Sequence, residues 1–158
     1  MTAPAGVAVR VAGAGDAASV AELLRAFNAE FHTPAPELET LTRRVQGMLA
    51  TPHAAAVLAQ GSEGPVGFAL LTLRPSPYYE GPVAMLEELY VAPALRGRGI
   101  GTRMMAVVHE VVAAAGGGEI QINVDEVDTG ARRFYERLGF SNFEAGQDYR
   151  MLCYLKEL

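Results

Sequence analysis

The stretch "ALRGRGIGTRMM", residues 94–105, sets three glycines and three arginines between the strand-like run "AMLEELYVAP" and a helix-like run. A strand that gives way to a helix so abruptly leaves several N–H groups unpaired, with the positive end of the helix dipole at the same point. Such a point attracts an anion. Gly97, Gly99 and Gly101 remove side chains that would hold an anion off the backbone, and Arg96 and Arg98 add charge around it. No Gly-Lys-Ser/Thr follows to make a P-loop or supply a magnesium ligand. The pattern Arg96-x-x-Gly99-x-Gly101 suits a diphosphate lying across a helix N-terminus without a metal.

A second glycine cluster competes for that role. In "VAVRVAGAGDAASVAELL", residues 7–24, Gly13, Gly15 and Ala18 fit the dinucleotide fingerprint G-x-G-x-x-G/A. A dinucleotide fold would need a second parallel strand ending in an acid about 20 positions later. That place holds "FHTPAPELET", a proline-broken connection. The favoured reading of Gly13 and Gly15 is a strand-to-helix turn closed by an Asp16 N-cap.

The chain has 158 residues, half of them apolar, enough for one core, so a single domain over 7–158 is expected. Its formal net charge of −5, from thirteen Lys and Arg against eighteen Asp and Glu, argues against a nucleic-acid partner. Cys153 is the one cysteine, so an intrachain disulfide is excluded and a reducing compartment is the easier reading. Within "YRMLCYL" it is expected to be a small buried filler. No basic n-region begins the sequence, and no apolar run reaches the roughly 20 residues of a membrane span. A cytoplasmic protein with no membrane partner is the default expectation. The three histidines show no metal-ligand spacing, and no metal is expected.

Periodicity supplies the rest of the outline. "VAVRVA" alternates as a half-buried strand, Val20, Leu23, Leu24 and Phe27 recur at helical spacing, and a second helix is predicted over 37–50. "AAAVLAQ" and "VGFALLTLR" flank "GSEGP", the signature of a turn between antiparallel strands. After the glycine loop, an amphipathic helix over 102–115 carries Met104, Val108, Val111 and Val112 on one side. "EIQINV" is a strand, "TGARRFYERLG" a helix ended by Gly139, and "DYRMLCYL" a last strand. The order β-α-α-β-β-β-α-β-α-β predicts an α/β fold: a mixed, mostly antiparallel sheet with helices on both faces.

"LEELYVAPALRGRGIGTRMM" followed by "INVDEVDTGARRFYERLGF" resembles the two signature segments of the GNAT superfamily, the Gcn5-related N-acetyltransferases that bind acetyl-coenzyme A. The resemblance is strong over 83–140 and agrees in element order over about 7–158. It implies acetyl-CoA as cosubstrate and a diphosphate held mostly by the backbone amides of Arg96, Gly97, Arg98, Gly99, Ile100, Gly101 and Thr102. Leu89, Tyr90 and Val91 would pair with the pantetheine arm. Tyr135 would protonate the departing thiolate, a role open to a phenol at neutral pH; the alternative is a core aromatic. Many relatives carry an asparagine seven positions before that tyrosine, where this chain has Asp128. Asp128 either accepts a coenzyme hydrogen bond or caps the following helix.

An amine attacks a thioester only when neutral, so a base must remove a proton from a charged acceptor. Glu87 and Glu88 are the candidates, and strand alternation is expected to send them to opposite faces. "LEELYV" is similar to the corresponding strand of small-amine acetyltransferases, which favours Glu87 as the catalytic base and leaves Glu88 as a substrate contact. Asn123 stands where N-terminal protein acetyltransferases often carry a glutamate base, and its amide accepts no proton. Phe27, Glu30, Phe31 and Tyr79 mix aromatic and acidic groups in segments expected to wall the acceptor site. The reading is an N-acetyltransferase acting on the primary amine of a small molecule. The alternatives are a protein or peptide N-acetyltransferase, or a non-catalytic acyl-CoA-binding module; a homodimer is an open alternative to a monomer.

Overall fold

The computed structural model describes residues 6–158, which group into two compact units, one reaching to Gln121 and the other Ile122–Leu158. In the first, β1 (Ala8–Ala12) leads through a short 3-10 turn, Ala14–Asp16, into α1 (Ala17–Glu30) and α2 (Leu38–Leu49). Then come β2 (Ala54–Gly61), β3 (Gly64–Arg74), β4 (Val83–Val91), α3 (Ile100–Ala114) and β5 (Glu119–Ile122), which ends at the unit boundary. The sheet has the order β1-β2-β3-β4-β5, and its first three pairings are antiparallel. The turn predicted at "GSEGP" joins β2 to β3, with Gly64 at φ +138°.

Strand alternation divides the core into two layers. Ala56, Leu58, Phe68 and Leu70 gather with Val20, Leu23, Val45 and Tyr90 under α1 and α2. Val57, Ala59, Ala69 and Leu71 take the opposite parity, toward the side on which α3 crosses β1 to β4. A side chain at Gly67 would begin 2.7 Å from the Tyr90 carbonyl and 3.3 Å from Met104 Sδ, so the bare glycine admits α3 to close range. Met104, Met105 and Val108 are fully buried there. Each such side chain contributes roughly 1.5–3 kcal/mol by leaving water, which anchors the helix whose first turn carries the glycine loop.

Gly13 and Gly15 form a plain turn. The Asp16 carboxylate accepts the Gly13 N–H at 2.9 Å and a two-point contact from Arg10 at 2.7 and 2.9 Å, rather than capping α1 itself. Those contacts, the Arg10 hydrogen bonds foremost, hold its pKa down to about 2. The predicted strand–turn–helix stands, with the cap one step earlier than expected.

In the second unit, α4 (Thr129–Arg137) starts at Asp128, whose carboxylate accepts the Ala131 N–H at 2.9 Å. It ends where Gly139 adopts φ +90°, the left-handed conformation expected of a glycine just past a helix. Tyr135 is buried on α4 with its ring edge-to-face against Phe134 at 5.1 Å and Phe140 at 5.5 Å. The last predicted strand is absent: a single bridge joins Phe143 to Arg150, and residues 151–158 have no regular structure and lie exposed. Cys153 is therefore exposed rather than a buried filler. An apolar run records a preference for burial but not the surface that provides it.

Candidate active site

The loop after β4 is built as an anion cradle. Pro93–Leu95 forms one 3-10 turn, Gly97 and Gly99 take φ +73° and +78°, and Gly99 is the N-cap of α3. Such angles are costly for any residue with a Cβ. Nothing lies within 4 Å of where a side chain would begin at either glycine, so the backbone is open to an incoming group. The helix begins at Ile100, two residues earlier than the periodicity predicts, because the Ile100 side chain is buried in the core. Ile100, Gly101 and Thr102 thus sit in the first turn, whose N–H groups have no intrahelical acceptor. This donor set and its open face fit a diphosphate.

Arg96 does not add loose charge to that cradle. Its Nη1 and Nη2 donate to the two Glu30 carboxylate oxygens, each at 2.7 Å, and its Nε donates to the Val91 carbonyl at 2.8 Å. The guanidinium also lies 5.6 Å from the centre of the Tyr90 ring. Arg96 thereby ties the loop to β4 and to the end of α1, and its side chain faces Glu30 rather than the anion side. The pair engages the carboxylate of Glu30, one of the residues expected on the acceptor wall. Its carboxyl is held below the ordinary value by the Arg96 hydrogen bonds. Arg98 remains exposed beside the glycines.

The pairing of β3 with β4 changes the reading of the two glutamates. Leu70 faces Glu88 and Leu71 faces Leu86, so Glu87 is an extra residue in the ladder, a β-bulge. Glu88, opposite Leu70, shares the face that packs under α1 and α2. Thr72 has the same parity as Leu70, and its hydroxyl donates to Glu87 Oε1 at 2.5 Å. Both carboxylates therefore lie on one face, against the alternation expected from sequence. Glu87 is exposed; Glu88 is half-buried, and burial followed by the Glu87 charge pushes its pKa up. Thr72 was not singled out from sequence, since only the strand register brings it to Glu87.

Below the bulge, Leu89, Tyr90 and Val91 continue β4, with Tyr90 buried between Phe68, at 6.3 Å, and Phe27, at 5.6 Å. One edge of this segment pairs with β3. On the other side β5 is next in order, yet β4 and β5 approach at few residues, so the sheet opens between them. The backbone of 89–91 is the part of β4 that precedes the glycine loop directly.

Other expected wall residues are distributed unevenly. Phe27 packs edge-to-face on Phe31 at 5.1 Å, and Phe31 stands more than half exposed. The Tyr79 hydroxyl donates to Glu119 Oε2 at 2.8 Å, while Gln121 donates to the other oxygen and accepts from Arg74. Tyr79 is thereby fixed to the start of β5, and this hydrogen bond raises its phenol pKa. Asn123 is exposed just past β5. Asp128 caps α4 by accepting the Ala131 N–H, one of the two roles that the sequence leaves open. Among the described residues no group of three or more His, Cys, Asp or Glu is arranged to hold a metal, and no helix is long and apolar enough to cross a membrane.

Comparison with known proteins agrees with this architecture. The model of the Acetyltransferase (GNAT) family matches residues 18–140. An aminoglycoside N(6')-acetyltransferase type 1 of Serratia marcescens is 33% identical over 122 residues, covering 74% of this chain and 83% of that protein. A crystal structure of an Arthrobacter sp. FB24 protein, provisionally described as an acetyltransferase, is 42% identical and covers all of both chains with a TM-score of 0.89. An aminoglycoside N-acetyltransferase in complex with CoA shares the fold at a TM-score of 0.76 and 22% identity, covering 97% of this chain and 100% of that one. The chain belongs to the GNAT acetyltransferase family and is an acetyl-CoA-dependent acetyltransferase.

Proposed function

We propose that this enzyme acetylates a primary amine of a small cationic molecule. One observation carries the reading: the bulge at Glu87 presents two carboxylates on the same face of β4, immediately before the Leu89–Val91 backbone and the glycine cradle. A pair of acids there attracts an ammonium group, and the edge-to-face rings of Phe27 and Phe31 add surfaces that a cation favours. The aminoglycoside N(6')-acetyltransferase relative supports an acceptor of this class.

The amides of 97–102 and the backbone of Leu89, Tyr90 and Val91 bind the diphosphate and the arm that follows it. When bound, acetyl-CoA supplies an activated thioester carbonyl. Glu87, oriented by the Thr72 hydroxyl, takes the proton from the acceptor ammonium through water, leaving the amine lone pair free. A carboxylate beside the amine also raises the amine's pKa, which opposes that loss; a relay through water separates attraction from proton removal. Glu88 shares the face and contributes mainly charge. The Tyr135 phenol donates the proton that the departing sulfur takes up.

Thiol release from acetyl-CoA, followed across aminoglycosides, polyamines, amino acids and peptides, tests the acceptor class. Turnover confined to small polycationic amines is expected. Faster turnover with peptides than with any small amine would replace this reading with peptide acetylation.

A further inference from the structure

We propose that Tyr79 is a positioning residue for acetyl-CoA: by fixing the starts of β4 and β5 to each other, it sets the width of the opening that Leu89–Val91 borders. The inference rests on the reading that this backbone receives the arm of the coenzyme. Every residue that carries it belongs to the first unit.

The loop between β3 and β4 is pressed against the turn between α3 and β5. The Gly118 N–H donates to the Pro82 carbonyl at 3.3 Å, which sets the residue before β5 beside the residue before β4. A side chain at Gly81 would collide with the Gly116 carbonyl, and one at Gly118 with the Tyr79 ring. Only Gly116 of the turn takes a left-handed angle, φ +73°, so turn geometry does not account for the glycines at 81 and 118. Their bareness serves the approach of the two segments.

On this base the Tyr79 ring lies against Gly118, and its hydroxyl gives its one proton to Glu119 at 2.8 Å. Gln121 donates to the second Glu119 oxygen at 2.5 Å and accepts from Arg74 at 3.0 Å. Arg74 stands opposite Val83 in the β3–β4 ladder, so its guanidinium spans the first residue of β4 to reach the strand beyond. Farther along, few residues of β4 and β5 meet, and the direction of β5 depends on this joint. β5 is four residues long, so a rotation of about 5° at its start would carry its far end, about 13 Å away, by about 1 Å. A displacement of that size spoils the fit of a ligand held along its length.

Tyr79→Phe removes the hydroxyl and keeps the ring, whereas Gly118→Ala pushes the ring away. Calorimetric titration with CoA, and with 3′-phospho-ADP, the half of the coenzyme that has the diphosphate but no arm, reads each part separately. Both variants should bind CoA about three- to tenfold more weakly, the size of one lost, partly solvated hydrogen bond, and hold 3′-phospho-ADP as the unaltered protein does. The amine KM at saturating acetyl-CoA should not move. Equal weakening of both ligands, or unchanged CoA affinity in Tyr79→Phe, would overturn the proposal. So would a rise in the amine KM alone, which would make Tyr79 an acceptor contact. Amide exchange at Leu89–Val91 in the unaltered protein distinguishes the two levels of failure. If CoA protects these amides no better than 3′-phospho-ADP, the placement of the arm falls and this inference with it; if CoA protects them and Tyr79→Phe still binds it normally, the inference alone falls.

Discussion

The Arg96 guanidinium meets the Glu30 carboxylate at two points, 2.7 Å each, and so joins the first residue of the glycine loop to the end of α1. Both side chains are partly solvated, at 43% and 28% exposure, which limits the pair to about 0.5–1 kcal/mol. A double-mutant cycle with Arg96→Gln and Glu30→Gln, read by urea unfolding at pH 7, should return a coupling of that size. Arg96 lowers the Glu30 pKa, so the contribution is complete above the unfolded value and disappears as pH falls through the folded one. A coupling that does not weaken as the acid range is titrated downward would mean packing, not charge, joins these residues.

The two glycine clusters should respond differently to one added methyl group. Gly99→Ala places a Cβ at φ +78° and should cost about 1–2 kcal/mol of stability while weakening CoA binding. Gly13→Ala, at φ −103° with open space around it, should stay within about 0.5 kcal/mol and leave CoA affinity unchanged. Calorimetric titration and thermal unfolding of both variants check this. Equal effects would deprive the 97–101 loop of its special role.

At the bulge, Glu87→Gln should lower kcat and move the pH dependence of turnover upward, since water or hydroxide must then receive the proton. Glu88→Gln should act chiefly on the amine KM, because its charge shares the face without the Thr72 contact. Steady-state kinetics over a pH series separates the two. The Glu88 pKa is raised in the folded state, so its ionisation opposes folding: stability is highest below the unfolded value and falls as pH passes through the folded one. Glu88→Gln should therefore raise the melting temperature at pH 8 and leave it nearly unchanged at pH 3.5. A purely structural Glu88 would shift melting alone and spare the amine KM.

Tyr135→Phe keeps the ring contacts with Phe134 and Phe140 and removes only the hydroxyl. If the phenol protonates the leaving sulfur, CoA affinity should hold while kcat drops by roughly 10²–10⁴. Stopped-flow turnover with the best amine decides the matter, and an unchanged kcat would leave Tyr135 as a packing residue.

The glycine loop and the order of the first nine elements were legible because each rests on local chemistry: left-handed glycines, apolar period, turn residues. What stayed hidden depends on registry between distant segments. Thr72 and Glu87 are fifteen positions apart and meet only because the β3–β4 pairing slips by one residue. Arg96 and Glu30 are sixty-six apart, and sequence alone left each facing a ligand when they face each other. The last strand failed for a related reason, since "MLCYL" states that it must be covered and is silent about what covers it.

The extra residue at Glu87 has a consequence for insertions and deletions. Loss of that single amino acid would subtract one carboxylate and, more gravely, restore an unbroken two-residue period along the strand. Either Val83–Leu86 or Glu88–Val91 would then rotate by half a turn, exposing Leu86 or driving Tyr90 out from beneath α1. Length at this point is as constrained as identity: a substitution there changes one side chain, whereas a one-residue frame shift in the ladder would turn this face of the strand inside out.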